Sequence, residues 1–343
     1  MDGKVRWGIL GTGKIATILA TALSGSEGGE LVAVGSRDAE RARSFAAEFE
    51  AARSYGGYEG VIEDDGVDLV YVATPHPFHR EWAVRAADAG KHLLCEKPMA
   101  VNRTDAAPIV EAARRNDVFL LEGFAYRCHP QTARLVELVR DGAIGEVRLI
   151  DAVFGYDAGP EPANYLMVHE LAGGSLLDVG CYTTSMAHLI AAAAAGLPVA
   201  PSVDAAGGAR IGPTGVDHST AATLTFGDGL LARVACSIQA NLDSSVRIYG
   251  ADGNITVASP WLPGRIGSDA TVVVERWGAE PDVIDIPLED DIYRVEVDAV
   301  NGFVREGARS VPVMSWDESL ENMRTLDRWR ASIGLRYQDD DGT

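Results

Sequence analysis

Apolar and polar positions along this chain follow two successive rhythms. In the first, short apolar runs alternate with stretches whose apolar residues recur at helical spacing. Val5–Leu10, Leu31–Gly35, Leu69–Ala73, His92–Cys95 and Phe119–Glu122 read as strands. The stretch carrying Ile15, Ile18, Leu19 and Leu23, then Glu40–Phe49, Glu81–Ala89 and Thr104–Arg115, read as helices. Such alternation predicts a parallel, doubly wound α/β sheet with right-handed crossovers. After Tyr126-Arg127 the rhythm changes. A helix at Gln131–Arg140 leads into Glu146–Tyr156, and strand-like runs recur at Ala221–Phe226, Leu230–Ser237, Val246–Tyr249, Asn254–Val257 and Thr271–Trp277. Gly-Asp-Gly and Gly-Ala-Asp-Gly turns punctuate them. Consecutive strands without intervening helices predict an α+β domain on a large, mostly antiparallel open sheet. The expected division is 1–125 and 126–343. Met186–Leu197 reads as a buried alanine-rich helix. Trp316–Ile333 reads as an amphipathic helix with Leu320, Met323, Leu326 and Trp329 or Arg330 on one stripe, expected to fold back on the first domain. The acidic tail Gln338–Thr343 is expected to be disordered.

Composition adds exclusions. With 343 residues, 47% hydrophobic and 23% charged, the chain has the make-up of an ordinary globular protein with room for two cores. No run reaches the roughly 18 apolar residues of a membrane span, and no apolar leader precedes the first strand, so no membrane association and a cytoplasmic location are expected. Thirty Lys and Arg against fifty Asp and Glu leave a formal charge of −20, which repels a polyphosphate backbone and argues against a nucleic-acid partner. Cys95, Cys128, Cys181 and Cys236 lie far apart without a Cys-x-x-Cys, so reduced, mostly buried thiols are expected.

The first strand runs directly into Gly11-Thr12-Gly13-Lys14-Ile15-Ala16, a G-x-G-x-x-A between strand and helix. The first glycine permits a tight turn, the second lets the backbone approach a pyrophosphate, and Ala16 lets the helix sit close to the strand. The helix N-terminus then offers free amides to phosphate. Gly11, Thr12, Gly13, Lys14 and Ile15 are therefore cofactor candidates. The second strand ends in Ser36-Arg37-Asp38. A hydroxyl and an arginine there suit a 2′-phosphate, so NADP(H) is preferred, with NAD(H) possible. Asp38 also suits an N-cap for the helix behind it.

Two further strand ends carry chemistry. Thr74-Pro75-His76-Pro77-Phe78-His79 follows the third strand and is expected to flank the cofactor, with Thr74, Pro75, His76 and His79 as contacts. Reading His76 and His79 as a metal pair lacks a third ligand at a familiar spacing, so no metal is expected. Leu93-Leu94-Cys95-Glu96-Lys97-Pro98-Met99 is a strand that delivers Glu96 and Lys97 to its carboxyl end, where open parallel sheets bind ligands. In the second domain, Gly173-Gly174-Ser175-Leu176-Leu177-Asp178-Val179-Gly180-Cys181-Tyr182 places Asp178 and Tyr182 four apart, on one face of any helix that starts there. On these residues alone, an N-cap aspartate and a core tyrosine are the competing roles.

Gly11-Thr12-Gly13-Lys14-Ile15-Ala16, Glu96-Lys97-Pro98-Met99 and the stretch Gly173–Tyr182, in this order and spacing, resemble the Gfo/Idh/MocA oxidoreductase family over essentially the whole chain. The tyrosine after Asp-x-Gly resembles the branch with dimeric dihydrodiol dehydrogenases, NADP-dependent D-xylose dehydrogenases and glucose-fructose oxidoreductase; Thr74–His79 and Val216-Asp217 fit that branch. The resemblance implies a dinucleotide-binding Rossmann domain and a substrate-binding second domain whose open sheet makes a homodimer or higher homo-oligomer. It also implies NADP(H) as cofactor and hydride exchange with a sugar or cyclic polyol. Lys97 matches the family's catalytic-site lysine, and Tyr182 stands where inositol-dehydrogenase-like members carry histidine.

The expected mechanism makes Tyr182 the acid/base for the substrate oxygen. A free tyrosine titrates near pH ~10, and an ammonium nearby lowers this by about 1 to 3 units, which is the role given to Lys97. Asp178 would orient Lys97 or a substrate hydroxyl, and Arg127, Asn164 and His169 are substrate-contact candidates. Alternatives are a trans-dihydrodiol or 1,5-anhydrofructose-type carbonyl reductase and, in another class, a non-catalytic NADP-binding regulator.

Overall fold

In a computed structural model the described residues are 3–159, 165–200, 203–227, 229–265, 270–287 and 290–337. The chain divides into two compact units. The first comprises Met1–Ala100, Thr104–Cys128 and Asp290–Trp316; the second comprises Val101–Arg103, His129–Glu289 and Asp317–Thr343.

The first unit holds β1 (Val5–Leu10), β2 (Gly29–Gly35), β3 (Arg53–Tyr55), β4 (Leu69–Val72), β5 (His92–Glu96) and β6 (Leu120–Gly123). They form one sheet in the order β3-β2-β1-β4-β5-β6, every pair parallel. β4 is buried at every position and β5 at all but His92, as a sheet covered on both faces requires. The order reverses between β1 and β4, so the loops after these strands flank the switch point where such sheets bind ligands. A helix over Ile292–Arg305 returns to this unit. Its buried Asn301 accepts the Trp7 indole N–H at 2.8 Å and donates to Ser26 Oγ at 3.0 Å.

The second unit holds β7 (Val147–Gly155), β8 (Asp204–Ile211), β9 (Asp217–Thr225), β10 (Leu231–Ser237), β11 (Ser245–Gly250), β12 (Gly253–Val257), β13 (Thr271–Arg276) and β14 (Asp282–Asp285). Their order is β14-β13-β12-β11-β7-β10-β9-β8, antiparallel except for β7 with β10. Both fold expectations, the parallel doubly wound sheet and the mostly antiparallel open sheet, hold. Alternate residues of β9 and β10 are buried and exposed, so one face of the sheet is packed and the other is open. The long helix Cys181–Ala195 packs on β7 and β10. The final helix, Trp316–Ser332, lies mainly in this second unit: Asn322 Oδ1 accepts from Thr184 Oγ1 at 2.6 Å, Thr325 Oγ1 bonds His188 at 2.7 Å, and Trp329 Nε1 donates to Thr220 Oγ1 at 3.0 Å. Its apolar stripe is supplemented by this row of buried polar bonds. The segment that returns to the first unit is Asp290–Trp316. Residues 338–343, read as a disordered tail, fall outside the described residues. Among the described residues no helix is long and apolar enough to cross a membrane, and all four cysteines are free.

Candidate active site

In the first unit the glycine-rich loop has the geometry a pyrophosphate needs. Gly11 has φ +115°, and a Cβ there would lie 2.8 Å from the Ala73 carbonyl oxygen, so the loops after β1 and β4 meet across a glycine. Gly13 precedes the helix Lys14–Ser24 in extended conformation without a side-chain cap, and a Cβ on it would meet nothing within 4 Å. The space beside Gly13 is thus open and no side chain caps the first amides of that helix, as anion binding requires. Thr74, at the end of β4, is buried with a hydroxyl that has no hydrogen-bond partner among the described residues. These features fit a bound dinucleotide.

The end of β2 resolves its two candidate roles. Asp38 caps the helix Ala39–Glu48, accepting from the amides of Glu40 (2.9 Å) and Arg41 (3.3 Å). One oxygen of its carboxylate, Oδ1, is thereby engaged by the helix. Ser36 is buried and Arg37 exposed. Arg41, which the sequence did not single out, reaches from the same helix to the Thr12 carbonyl at 3.3 Å. The only advance signal was its position one turn behind a capping aspartate.

Around Lys97 the loops are cross-braced. Glu96 is buried, accepts the Tyr71 hydroxyl through Oε1, and accepts the Lys97 amide through Oε2 at 3.2 Å. It is a strand-end brace and not a solvated charge. Burial, reinforced by the Glu96 charge, pushes the Tyr71 phenol well above its usual value. The Lys97-Pro98 peptide is cis. Met99 donates its amide to buried Glu122 at 2.8 Å. His79 is fully buried, with Nδ1 at 3.0 Å from the Pro98 carbonyl and Nε2 at 2.7 Å from the Thr74 carbonyl. It joins the loops after β4 and β5. His76 packs edge-on to it at 5.9 Å. Burial, then the neighbouring His79 and Lys97, hold His76 well below the usual histidine value, so its ring is neutral. Pro75 precedes the short turn His76–Phe78. Arg127 is buried, with its guanidinium 3.0 Å from Met314 Sδ and stacked over Tyr126.

In the second unit, Leu176–Gly180 forms a single turn of π-helix leading into Cys181–Ala195. Asp178 lies in this turn and Tyr182 at the start of the helix. Asp178 does not cap the helix; its Oδ2 accepts the Tyr156 hydroxyl at 2.6 Å. Tyr182 is nearly buried and meets Phe154 (5.3 Å) and Trp261 (6.0 Å) edge-on, while those two rings stack on each other at 5.6 Å. Tyr156, Phe154 and Trp261 carried no signal in the sequence because they come from a strand and a loop remote in the chain. His169 bonds the Arg336 carbonyl at 2.8 Å and contacts the Tyr337 ring. Asn164 lies outside the described residues. Among the described residues no group of three His, Cys, Asp or Glu side chains is arranged to hold a metal ion.

Comparison with known proteins places these features in a family. Residues 5–124 match the model of an oxidoreductase family with an NAD-binding Rossmann fold, and residues 132–256 match the GFO/IDH/MocA C-terminal domain. A trans-1,2-dihydrobenzene-1,2-diol dehydrogenase of Mus musculus is 32% identical over 98% of this chain and 99% of its own. A D-xylose 1-dehydrogenase (NADP(+)) of Haloferax volcanii is 33% identical over 94% of this chain and 95% of its own. Among solved structures, the 3-ketoreductase KijD10 from Actinomadura kijaniata, in complex with NADP and TDP-benzene, superposes with a TM-score of 0.85 at 27% identity, covering 96% of this chain and 98% of its own.

Proposed function

The chain belongs to the Gfo/Idh/MocA oxidoreductase family, and from that premise we propose that it is an NADP(H)-dependent enzyme interconverting a hydroxyl and a carbonyl on a sugar or cyclic polyol. The observation that supports the cofactor choice is the engagement of Asp38 Oδ1 in its helix cap, with Ser36 and Arg37 after β2 and Arg41 on the helix that follows placed to receive a 2′-phosphate. The bound nicotinamide would donate or accept the hydride. Gly11, Thr12, Gly13, Lys14 and Ile15 hold its pyrophosphate, and Thr74, Pro75 and neutral His76 flank it. His79 and Glu96 brace the loops beside the cofactor.

Tyr182 exchanges a proton with the substrate oxygen, and Lys97 supplies the positive charge that makes a phenol competent for this step near neutrality. Asp178, held by Tyr156, orients a substrate hydroxyl. The aromatic wall of Phe154 and Trp261 favours substrates with one apolar face, as both a pyranose and a ring diol have. Arg127 and His169 are proposed as further substrate contacts only in a secondary role, since each already has protein partners. The reaction runs in a homo-oligomer assembled through the open sheet of the second unit, in the cytoplasm, where free thiols persist.

A screen of NADP⁺, NADPH, NAD⁺ and NADH against aldoses, polyols, keto-sugars and dihydrodiols, read by the absorbance of reduced nicotinamide, tests this. Turnover with NADP(H) is expected, with Tyr182→Phe and Lys97→Met each lowering kcat by about 10²- to 10⁴-fold. Arg37→Ala with Arg41→Ala should raise KM for NADP⁺ by about 10- to 100-fold and leave that for NAD⁺ unchanged. Cofactor binding without turnover on any substrate would favour the non-catalytic regulator.

A further inference from the structure

The turn that carries Asp178 and Tyr182 is anchored by a carboxylate from another element. Asp217, the first residue of β9, is fully buried. Its Oδ2 accepts from Ser175 Oγ at 2.6 Å and from the Leu176 amide at 2.7 Å, the two donors that open the π-turn. Its Oδ1 has no hydrogen-bond partner among the described residues. Gly174 lies so close, at φ +112°, that a Cβ there would strike this oxygen. The Asp178 amide in turn bonds the Gly174 carbonyl at 3.3 Å. The anchor is thus two short bonds on one oxygen.

No cation faces this carboxyl among the described residues. On the turn it meets Ser175. From β10 it meets Cys236, whose Sγ lies 3.4 Å from Ser175 Oγ and whose thiol is held well above its usual value by burial and then by Asp217, so it stays neutral. Cys181 is the next titratable group beyond Cys236. His218 follows Asp217, but strand alternation turns it to the opposite face, against Gly212. Burial pushes the Asp217 carboxyl up to about 7, and the bonds from Ser175 and Leu176 oppose the shift.

We propose that Asp217 is a positioning residue: as a carboxylate it clamps Ser175 and Leu176 and so holds the Asp178–Tyr182 turn in its working geometry, and on taking up a proton it lets that turn loosen. The link to turnover rests on the reading of Tyr182 as the acid/base; the clamp itself does not. The clamp works at a cost to global stability, because a buried carboxyl whose folded value is raised favours folding when protonated. That contribution is complete below about pH 4 and is lost as pH rises through about 7. The loosening is local and leaves Asp217 buried, where loss of the bonds from Ser175 and Leu176 raises its pKa further, so protonation favours the loosened turn.

Amide hydrogen exchange on the full chain, resolved to the peptide spanning residues 174–182, tests the clamp without a substrate. After correction for intrinsic rates, protection in the wild type should fall roughly tenfold between about pH 8 and pH 6. In Asp217→Asn it should be lower and flat across that range. Ser175→Ala keeps the carboxylate but removes one donor, so the loss of protection should move to higher pH; this variant decides the matter if Asp217→Asn does not fold. Wild-type protection that is flat with pH, or an unchanged profile in Ser175→Ala, overturns the proposal. With a substrate from the screen, kcat of the wild type should decline along an acidic limb near pH 7 that Asp217→Asn lacks. If the exchange results hold while Tyr182→Phe turns over normally, the clamp stands and the assignment of Tyr182 falls.

Discussion

His79 shows how one side chain can set the position of another without touching substrate. Both ring nitrogens face carbonyl oxygens, Pro98 on the loop after β5 and Thr74 on the loop after β4. Burial lowers its pKa, while the carbonyls oppose the shift and the charge of Lys97 adds to it. A neutral ring donates to only one carbonyl at a time, so the brace keeps one strong bond and one close contact. His79→Phe fills the space but removes the donor, and His79→Gln restores it. The expected result is a fall in kcat of about tenfold for the phenylalanine variant, with partial recovery in the glutamine variant. Stability carries a second signature. A histidine whose folded pKa is lowered contributes stability that is present above its unfolded value, about 6.5, and is lost as pH falls. Replacing it should therefore flatten the decline of Tm on the acid side of about pH 6.5, measured by calorimetry. A decline as steep as that of the wild type would remove His79 from the acid response.

At the scale of elements, legibility followed burial and periodicity. β1, β4 and β5 are buried at nearly every position, and their ends place Gly11, Thr74 and Lys97 where the sequence located them. β8 was missed because Asp204–Ile211 is rich in alanine and glycine and exposed along most of its length, so it shows no alternation. β3 has three residues and gave no pattern. The helix Ile292–Arg305 was missed for a different reason: buried Glu296 and Asn301 interrupt its apolar stripe. Those polar residues are what dock it. Asn301 links the Trp7 indole to Ser26, and Ser26 Oγ bonds Asp298 on the same helix. The sequence likewise named Asp178 and Tyr182 but could not show Tyr156 or Asp217, whose contacts exist only after the sheet has formed. Asn301→Leu would retain volume while orphaning the indole N–H, at about 1 to 3 kcal/mol. A drop in Tm of several degrees is expected. Restoration by a second change, Trp7→Phe, would identify the lost bond as the cause. Failure of that pair to recover any of the loss would mean that packing, not the bond, holds the helix.

For the whole molecule the open sheet poses the remaining physical problem. On the packed side, Ala232 and Val234 of β10 and Ala222 and Leu224 of β9 are buried. Their neighbours Ala221, Thr223 and Arg233 are exposed on the other side, where a shallow concavity is lined by Ala206, Ala235, Leu242 and Tyr249 as well. Two ion pairs lie on this face, Arg233 with Asp151 and Arg247 with Glu275 at 3.3 Å, and Asp243 also lines the concavity. Paired charges and small side chains make a flat surface that a second copy can cover without stranding those paired ions, whereas an unpaired charge buried there would cost several kcal/mol. The net charge of −20 sharpens the point, since two such chains repel at long range and associate only through a local, neutralised patch. Light scattering on the purified chain should therefore give at least twice the chain mass. Ala221→Glu and Ala235→Glu each place an unmatched acid at the centre of the face, and either should shift the species to a monomer with its fold intact by circular dichroism. A wild type that is monomeric at the highest concentration tested would reject the sheet as an interface. An oligomer indifferent to both substitutions would move the interface elsewhere.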